Sequence, residues 1–251
     1  MHGESSVTDE GTPLHVGSAR VCVIVPAFDA APTIAGVVHD LVAELRCAPS
    51  AVLVIDDGST DETYDEALRT GATVVRCAKN GGKGAALVRG LEVARARGFE
   101  VALTVDADGQ HPATSARDVL EASRDPRALV LGVRDLVRDG APRQNQLSNR
   151  ISNFFLSFFS GRRLRDTQCG LRRYPIHETL ALRARAPGYA FEAEVLLRAV
   201  AAEVPVVEQP VRVFYPDEER RVTHFDSVRD PMRIVGAVVR TLHDLRRARV
   251  R

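Results

Sequence analysis

The chain has 251 residues, 45% of them hydrophobic and 27% charged, with a formal net charge of +1. That is enough apolar material for one large domain or two small ones, and the near-neutral balance gives no global electrostatic call for nucleic acid. No run approaches the ~20 apolar residues needed to span a bilayer, and the four cysteines, without C-x-x-C spacing, read as reduced thiols of a cytoplasmic protein.

Residues 1–19 are mostly polar and lack the apolar core of a signal peptide, so they read as a disordered tail. The pattern then alternates. "VCVIVPAF" is a β-branched strand ending in proline, followed by a helix from about Pro32 to Arg46. "AVLVIDDGSTDET" is a second strand running into a turn, and "ATVVRC" a third. "NGGKGAALVRGLEVARARG" is a glycine turn opening a helix, "EVALTVDADGQHP" a fourth strand, and "ALVLGVR" a fifth. Strands this apolar, separated by helices, predict a mostly parallel sheet covered on both faces. Beyond residue 140 the rhythm changes: a helix over 145–160, a loop "RDTQCGLRRYP", a helix around Ala190–Ala202 and a strand pair near "VPVVEQPVRVFYP". A basic amphipathic helix closes the chain within 216–251.

Ligands of such sheets collect at the carboxyl ends of the strands. The polar motifs fall there: Asp29, Asp56 and Asp57, Lys83, and Asp106 to Gln110. Asp106 and Asp108 alternate just past a strand, with Gln110 close behind. Hard oxygen ligands of this kind suit Mg²⁺ or Mn²⁺ completed by phosphate oxygens; a capped loop with solvated aspartates has the same spelling. Around Lys83, "NGGKGAA" lacks the first glycine and the hydroxyl residue of a nucleoside-triphosphate phosphate loop. No G-x-G-x-x-G follows the first strand, which argues against a dinucleotide dehydrogenase. A nucleotidyltransferase would need a lysine-bearing, glycine-rich loop there, and "VPAFDAAP" has none.

In order, "VIVPAFDA", "VIDDGSTDET", "NGGKGAALVRG", "TVDADGQHP", "LGVRD" and "RDTQCGLRRY" resemble the GT-A glycosyltransferases of family 2, and among them the polyprenyl-phosphate mannose and glucose synthases. The resemblance implies an α/β GT-A nucleotide-diphospho-sugar transferase domain over 20–215. Residues 20–135 would form its nucleotide-sugar half and 136–215 its acceptor half. It implies a metal-dependent, inverting transfer of a hexose from a UDP- or GDP-sugar to a membrane lipid phosphate. Pro26, Ala27, Asp29, Asp56, Asp57, Lys83, Asp106, Ala107 and Asp108 would hold the donor, and Asp106, Asp108 and Gln110 the Mg²⁺ or Mn²⁺. Arg134, Arg150, Gln168 and Arg172 would hold the acceptor, and Asp108 would share the catalytic role with Asp166. The chain departs from the family at Ala30, where an acid is frequent. Such an enzyme would sit on the inner face of a membrane without crossing it; a separate membrane partner or a second copy of the chain stays open.

A phosphate acceptor is already ionised near neutral pH and needs positive charge more than a base. From Pro142 to Arg173 there are seven arginines and one aspartate. An alcohol acceptor would instead require a general base, with Asp166 as candidate and Glu192 second; an arginine partner that orders the loop is the other role open to Asp166. On a helical wheel, Leu147, Ile151, Phe154, Phe155, Phe158 and Phe159 share one arc and only Leu156 is out of place. Such a stripe fits a core-facing helix. The arginines at both ends favour a membrane interface.

Overall fold

The structure, a computed structural model, describes residues 13–188, 190–215, 236 and 238–244. In chain order the strands are β1 (His15–Val16), β2 (Ala19–Ala27), β3 (Val52–Asp56), β4 (Thr73–Arg76), β5 (Val101–Thr104), β6 (Leu129–Arg134), β7 (Arg172–Pro175) and β8 (Val206–Val211). The helices are α1 (Ile34–Leu45), α2 (Thr63–Arg69), α3 (Lys83–Ala96), α4 (Ala113–Glu121), α5 (Arg143–Ser160), α6 (Ile176–Ala181) and α7 (Ala190–Ala201). The main sheet runs β4-β3-β2-β5-β7-β6-β8, and β1 folds back on β2.

Only β7 runs against its neighbours in the main sheet, antiparallel to both β5 and β6; the other described pairings there are parallel. The mostly parallel α/β expectation holds, and both halves of the chain supply strands to one sheet. Because successive strand residues face opposite ways, β2 divides between two cores. Val21, Val23 and Val25 pack with Val38, Leu41 and Val119 of α1 and α4. Cys22 and Ile24 pack with Leu87 and Leu91 of α3 and Phe191 and Leu196 of α7. Helix α3 lies so close to the sheet that a Cβ on Gly90 would come within 2.7 Å of Ile24.

Four expectations change. Part of the expected tail is strand, since His15 and Val16 pair with Arg20 and Ala19; residues 1–12 lie outside the described residues. "LRRYP", read as loop, contains β7. Two adjacent arginines do not read as a buried strand, yet Arg172 and Arg173 are fully buried because each guanidinium caps backbone carbonyls. Arg172 donates to Cys169, Thr167 and Glu192, and Arg173 to Leu120, Ser123 and Asp125 at the end of α4. The expected strand pair near 205–215 is the single strand β8, where Pro210 is tolerated because the strand is at the sheet edge. Most of the expected C-terminal helix lies outside the described residues, but 238–244 contain a helical segment whose Val238 and Leu242 pack on the second core. In that stretch the apolar face is covered by the protein.

Candidate active site

Strands β2, β3 and β5 run parallel and end at one edge, and their ladder continues past the strand ends: Asp57 N–H donates to Ala27 O (2.8 Å) and Val105 N–H to Ile24 O (3.1 Å). This brings Pro26 and Ala27, which end β2 and are not the expected turn, to one edge with Asp56, Asp57 and Asp106. Asp56 is fully buried; its Oδ1 accepts from Ser59 N–H at 2.9 Å. Its Oδ2 makes no hydrogen bond among the described residues and faces Arg76 Nε at 3.4 Å. A buried carboxylate oxygen with spare accepting capacity suits a ligand donor such as a base N–H or ribose hydroxyl.

Two expected donor residues shape the cleft through neighbouring loops. Asp29, with a left-handed φ of 47°, donates its N–H to Ser59 Oγ (3.0 Å) and accepts from Thr60 N–H (2.8 Å). Asp57 accepts from Gly81 N–H (3.0 and 3.1 Å) and Gly82 N–H (2.7 Å), pinning the turn that opens α3. Burial pushes the Asp57 carboxyl up, against those two amides. Gly58 lies under that turn at φ 75°, and a Cβ there would meet Lys79 at 2.7 Å.

Asp106 and Asp108 follow β5, with the buried Ala107 between them. Burial works against the Asp106 charge, but the Lys83 ammonium, 2.7 Å from Oδ1, outweighs it and holds the group below its ordinary range. Asp108 is pushed up to about 6 by burial and by the charge of Asp106, although it accepts from Gln110 N–H at 3.0 Å. The Asp106 charge thus works against that of Asp108, and a cation between them would favour both charges. Among the described residues no cluster of three or more His, Cys, Asp or Glu side chains could hold a metal. A two-carboxylate half-site completed by substrate phosphates is what Mg²⁺ and Mn²⁺ commonly take, so Asp106 and Asp108 fit such an ion.

Sequence reasoning passed over His111, the residue after Gln110. Its ring contacts Arg212 O (3.1 Å) through Nδ1 and Cys169 Sγ (3.8 Å) through Nε2. Burial and the neighbouring Arg134 lower it to about 4, so it is a neutral imidazole tying the Asp106–Gln110 loop to the 166–170 segment. Its place inside "DGQHP" was the available signal.

The expected acceptor residues separate. Arg134 ends β6 and, with Arg150, Asn149, Asn153, Arg138 and Arg165, lines a cavity of about 440 Å³. Asp166, 1% exposed, accepts five hydrogen bonds: from Arg134 N, Nε and Nη2, from Asn149 Nδ2 and from Gln168 N. Burial opposes its charge, but Arg134 holds the carboxyl below its usual range. That geometry fits the arginine-partner role and leaves it a poor proton acceptor. Arg172 is consumed by its three carbonyls, and Gln168 Nε2 donates to Ser148 Oγ at 3.1 Å. Of the other arginines in 142–173, Arg165 pairs with Glu208 and Arg162 donates to Val206 O, whereas the side chains of Arg143, Arg150 and Arg163 make no ion pair or hydrogen bond among the described residues. The positive charge that remains available is thus less than the sequence count suggests.

Helix α5 flanks this cavity with its polar side inward. Ser148, Asn149, Ser152 and Leu156 are buried, while Leu147, Ile151, Phe154, Phe158 and Phe159 are exposed, Phe158 by 72%. The polar side is fastened to 164–168. Ser152 Oγ meets Thr167 Oγ1 at 2.9 Å, Asn153 donates to Arg165 O (2.6 Å) and accepts from Thr167 N–H (2.9 Å), and Ser157 Oγ accepts from Leu164 N–H (2.9 Å).

Residues 22–184 match the model of glycosyl transferase family 2. The chain belongs to that family. It is a glycosyltransferase, and its relatives agree. It is 31% identical over 212 residues to glycosyltransferase AglJ of Haloferax volcanii, covering 84% of this chain and 68% of that protein. It is 30% identical over 208 residues to the polyprenol monophosphomannose synthase of Mycolicibacterium smegmatis, covering 76% of each. In fold it is similar to glucosyl-3-phosphoglycerate synthase from Mycobacterium tuberculosis, solved with Mn²⁺, UDP-glucose and phosphoglyceric acid. That likeness has a TM-score of 0.68 at 18% identity and covers 92% of this chain and 84% of the other. The family 2 assignment and this likeness make the fold GT-A.

Proposed function

We propose that this family 2 glycosyltransferase moves a hexose, with inversion, from a UDP- or GDP-sugar to a polyprenyl phosphate at the inner face of a membrane. The observation that carries the acceptor is the pairing of an arginine-lined cavity with an exposed apolar helix face on α5, beside the strand-end carboxylates. A lipid phosphate has the same two halves: an anion and an apolar chain. The named activity of the mycobacterial relative supports the same substrate class.

In this reading Pro26 and Ala27 at the end of β2 and Asp56 hold the nucleoside, and Asp106, Asp108 and Gln110 would hold a Mg²⁺ or Mn²⁺. An ion held there would supply positive charge to offset that growing on the leaving diphosphate. Arg134 and Arg150 orient the acceptor phosphate. One of its oxygens attacks the anomeric carbon, the bond from that carbon to the diphosphate breaks, and a nucleoside diphosphate leaves. A phosphate monoester needs no base, which agrees with a carboxylate at Asp166 whose oxygens are already engaged; Asp166 positions Arg134. The exposed face of α5, with Arg150 and Arg163 on its flanks, rests on the bilayer, where apolar burial and anionic headgroups act together.

The test is incubation of the purified protein with UDP- and GDP-sugars, Mn²⁺ or Mg²⁺, and three acceptors: a short polyprenyl phosphate, the free polyprenol and phosphoglyceric acid. Mass measurement should find a product with the polyprenyl phosphate, lost in chelator and in Asp108→Ala. Arg150→Ala should raise the acceptor KM about tenfold or more, the scale of one charge-assisted contact, and leave donor binding unchanged. Preference for the free alcohol would overturn the phosphate reading, and product only with phosphoglyceric acid would overturn the lipid.

A further inference from the structure

Lys83 is the first residue of α3, and its ammonium is shared by two carboxylates from different elements. It lies 2.7 Å from Asp106 Oδ1 and 3.2 Å from Glu192 Oε1 in the first turn of α7. Glu192 is 2% exposed, and its Oε1 has no hydrogen bond among the described residues beyond this ion pair. Packing holds the three groups together. A Cβ on Gly84 would come within 2.8 Å of Ala186 O and 2.9 Å of Phe191, which locks the start of α3 against α7. A Cβ on Gly170 would run into both Asp106 and the Lys83 ammonium.

A buried carboxylate is costly unless its charge is used. The donor and acceptor roles above leave Glu192 without one. Asp106 is asked to face two cations in turn, Lys83 and a divalent ion. Both cannot stay close to the same oxygens, because two positive charges a few ångström apart repel strongly in a partly buried cleft. Glu192 is fixed, buried and already within reach of the lysine.

We propose that Lys83 is the resident counter-ion of Asp106 and that Glu192 is its holding carboxylate, so that a divalent ion enters by exchanging with Lys83. Glu192 is thus a positioning residue: it keeps the ammonium beside the site after Asp106 has released it. The inference rests on the metal reading of Asp106 and Asp108 proposed above, and the test separates the two.

The measurement is Mn²⁺ binding to the whole protein, followed by the loss of the free-ion electron paramagnetic resonance signal, first with Mn²⁺ alone and then with UDP. With Mn²⁺ alone, Lys83→Met should bind about tenfold more tightly than the wild type, the scale of one charge-assisted contact removed from competition. Glu192→Gln should bind several-fold more weakly, because the lysine then rests on Asp106 alone. A merely structural role would move both affinities in the same direction. The double variant Lys83→Met, Glu192→Gln removes the Glu192 charge that the lysine variant alone would leave buried and unpaired, and should keep the tighter binding if that single variant folds poorly. Unchanged or weaker binding in both Lys83→Met and the double variant overturns the proposal, including when Asp106-dependent binding appears only with UDP. Binding that Asp106→Asn leaves unaltered under both conditions overturns the metal reading, and this proposal with it.

Discussion

Helices α1 and α5 both carry an apolar stripe, and they turn it in opposite directions. In α1, Ile34, Val37, Val38, Leu41 and Leu45 are buried against the sheet. In α5 the core-facing side is Ser148, Asn149, Ser152 and Leu156; Phe154, Phe158 and Phe159 are exposed, and Phe155 is half-buried. Leu156, the one apolar residue that the helical wheel leaves off the stripe, is the one that reaches the core. The difference lies in what each helix packs on. Helix α1 meets the apolar face of β2 and α4. Helix α5 meets the 164–168 segment, whose backbone groups and buried Asp166 demand hydrogen bonds. The phenylalanine rings meet one another, with centroids 5.2 to 6.5 Å apart. An amphipathic pattern therefore says that a helix has two faces and leaves open which of them faces inward.

The largest expected effect falls on the polar side of α5. Asp166→Asn should cost about 3–5 kcal/mol in urea unfolding, since it leaves Arg134 as a buried charge without its partner. Because Arg134 holds the Asp166 carboxyl low in the folded chain, its stabilisation is complete above the ordinary carboxylate value of about 3.9 and is lost as pH falls through the lowered folded value. The gap between wild type and Asp166→Asn should accordingly narrow below about pH 4. A gap unchanged to pH 2 would mean that the ion pair contributes nothing there.

On the apolar side of α1, Leu41→Ala should cost about 2–5 kcal/mol, the usual range for emptying a core leucine site. Smaller again is Ser152→Ala at roughly 1 kcal/mol, because Thr167 Oγ1 keeps a second partner in Asn153 Oδ1 at 2.8 Å. Both are read from denaturant midpoints at constant slope.

The smallest change in stability should come from the most hydrophobic substitution. Replacing Phe154 and Phe158 with serine should move unfolding by no more than about 0.5 kcal/mol, as for exposed positions generally. The same variant should lose binding to anionic vesicles in co-sedimentation, and wild-type binding should rise with anionic lipid and fall with salt. A double variant that unfolds, with vesicle binding intact in whatever remains folded, would make the stripe part of the core and erase the contrast with α1.

Much of the strand-end carboxylate cluster was legible from residue order alone. Continuous apolar strands between helices require a covered parallel sheet, and such strands end at one edge, so Asp56, Asp106 and Asp108 had to converge. The phenylalanine helix was legible as a helix for the same reason: its period is local. The tertiary structure decided what depends on partners distant in the chain. It reversed β7 and buried its two arginines against carbonyls of α4 and α7. It set Lys83 between Asp106 and Glu192, more than twenty and more than one hundred residues away, and it bound Asp166 to Arg134 across 32 residues. Local periodicity follows from the backbone geometry of one segment, whereas the partner of a charge or of a helix face is chosen by whatever the fold sets beside it.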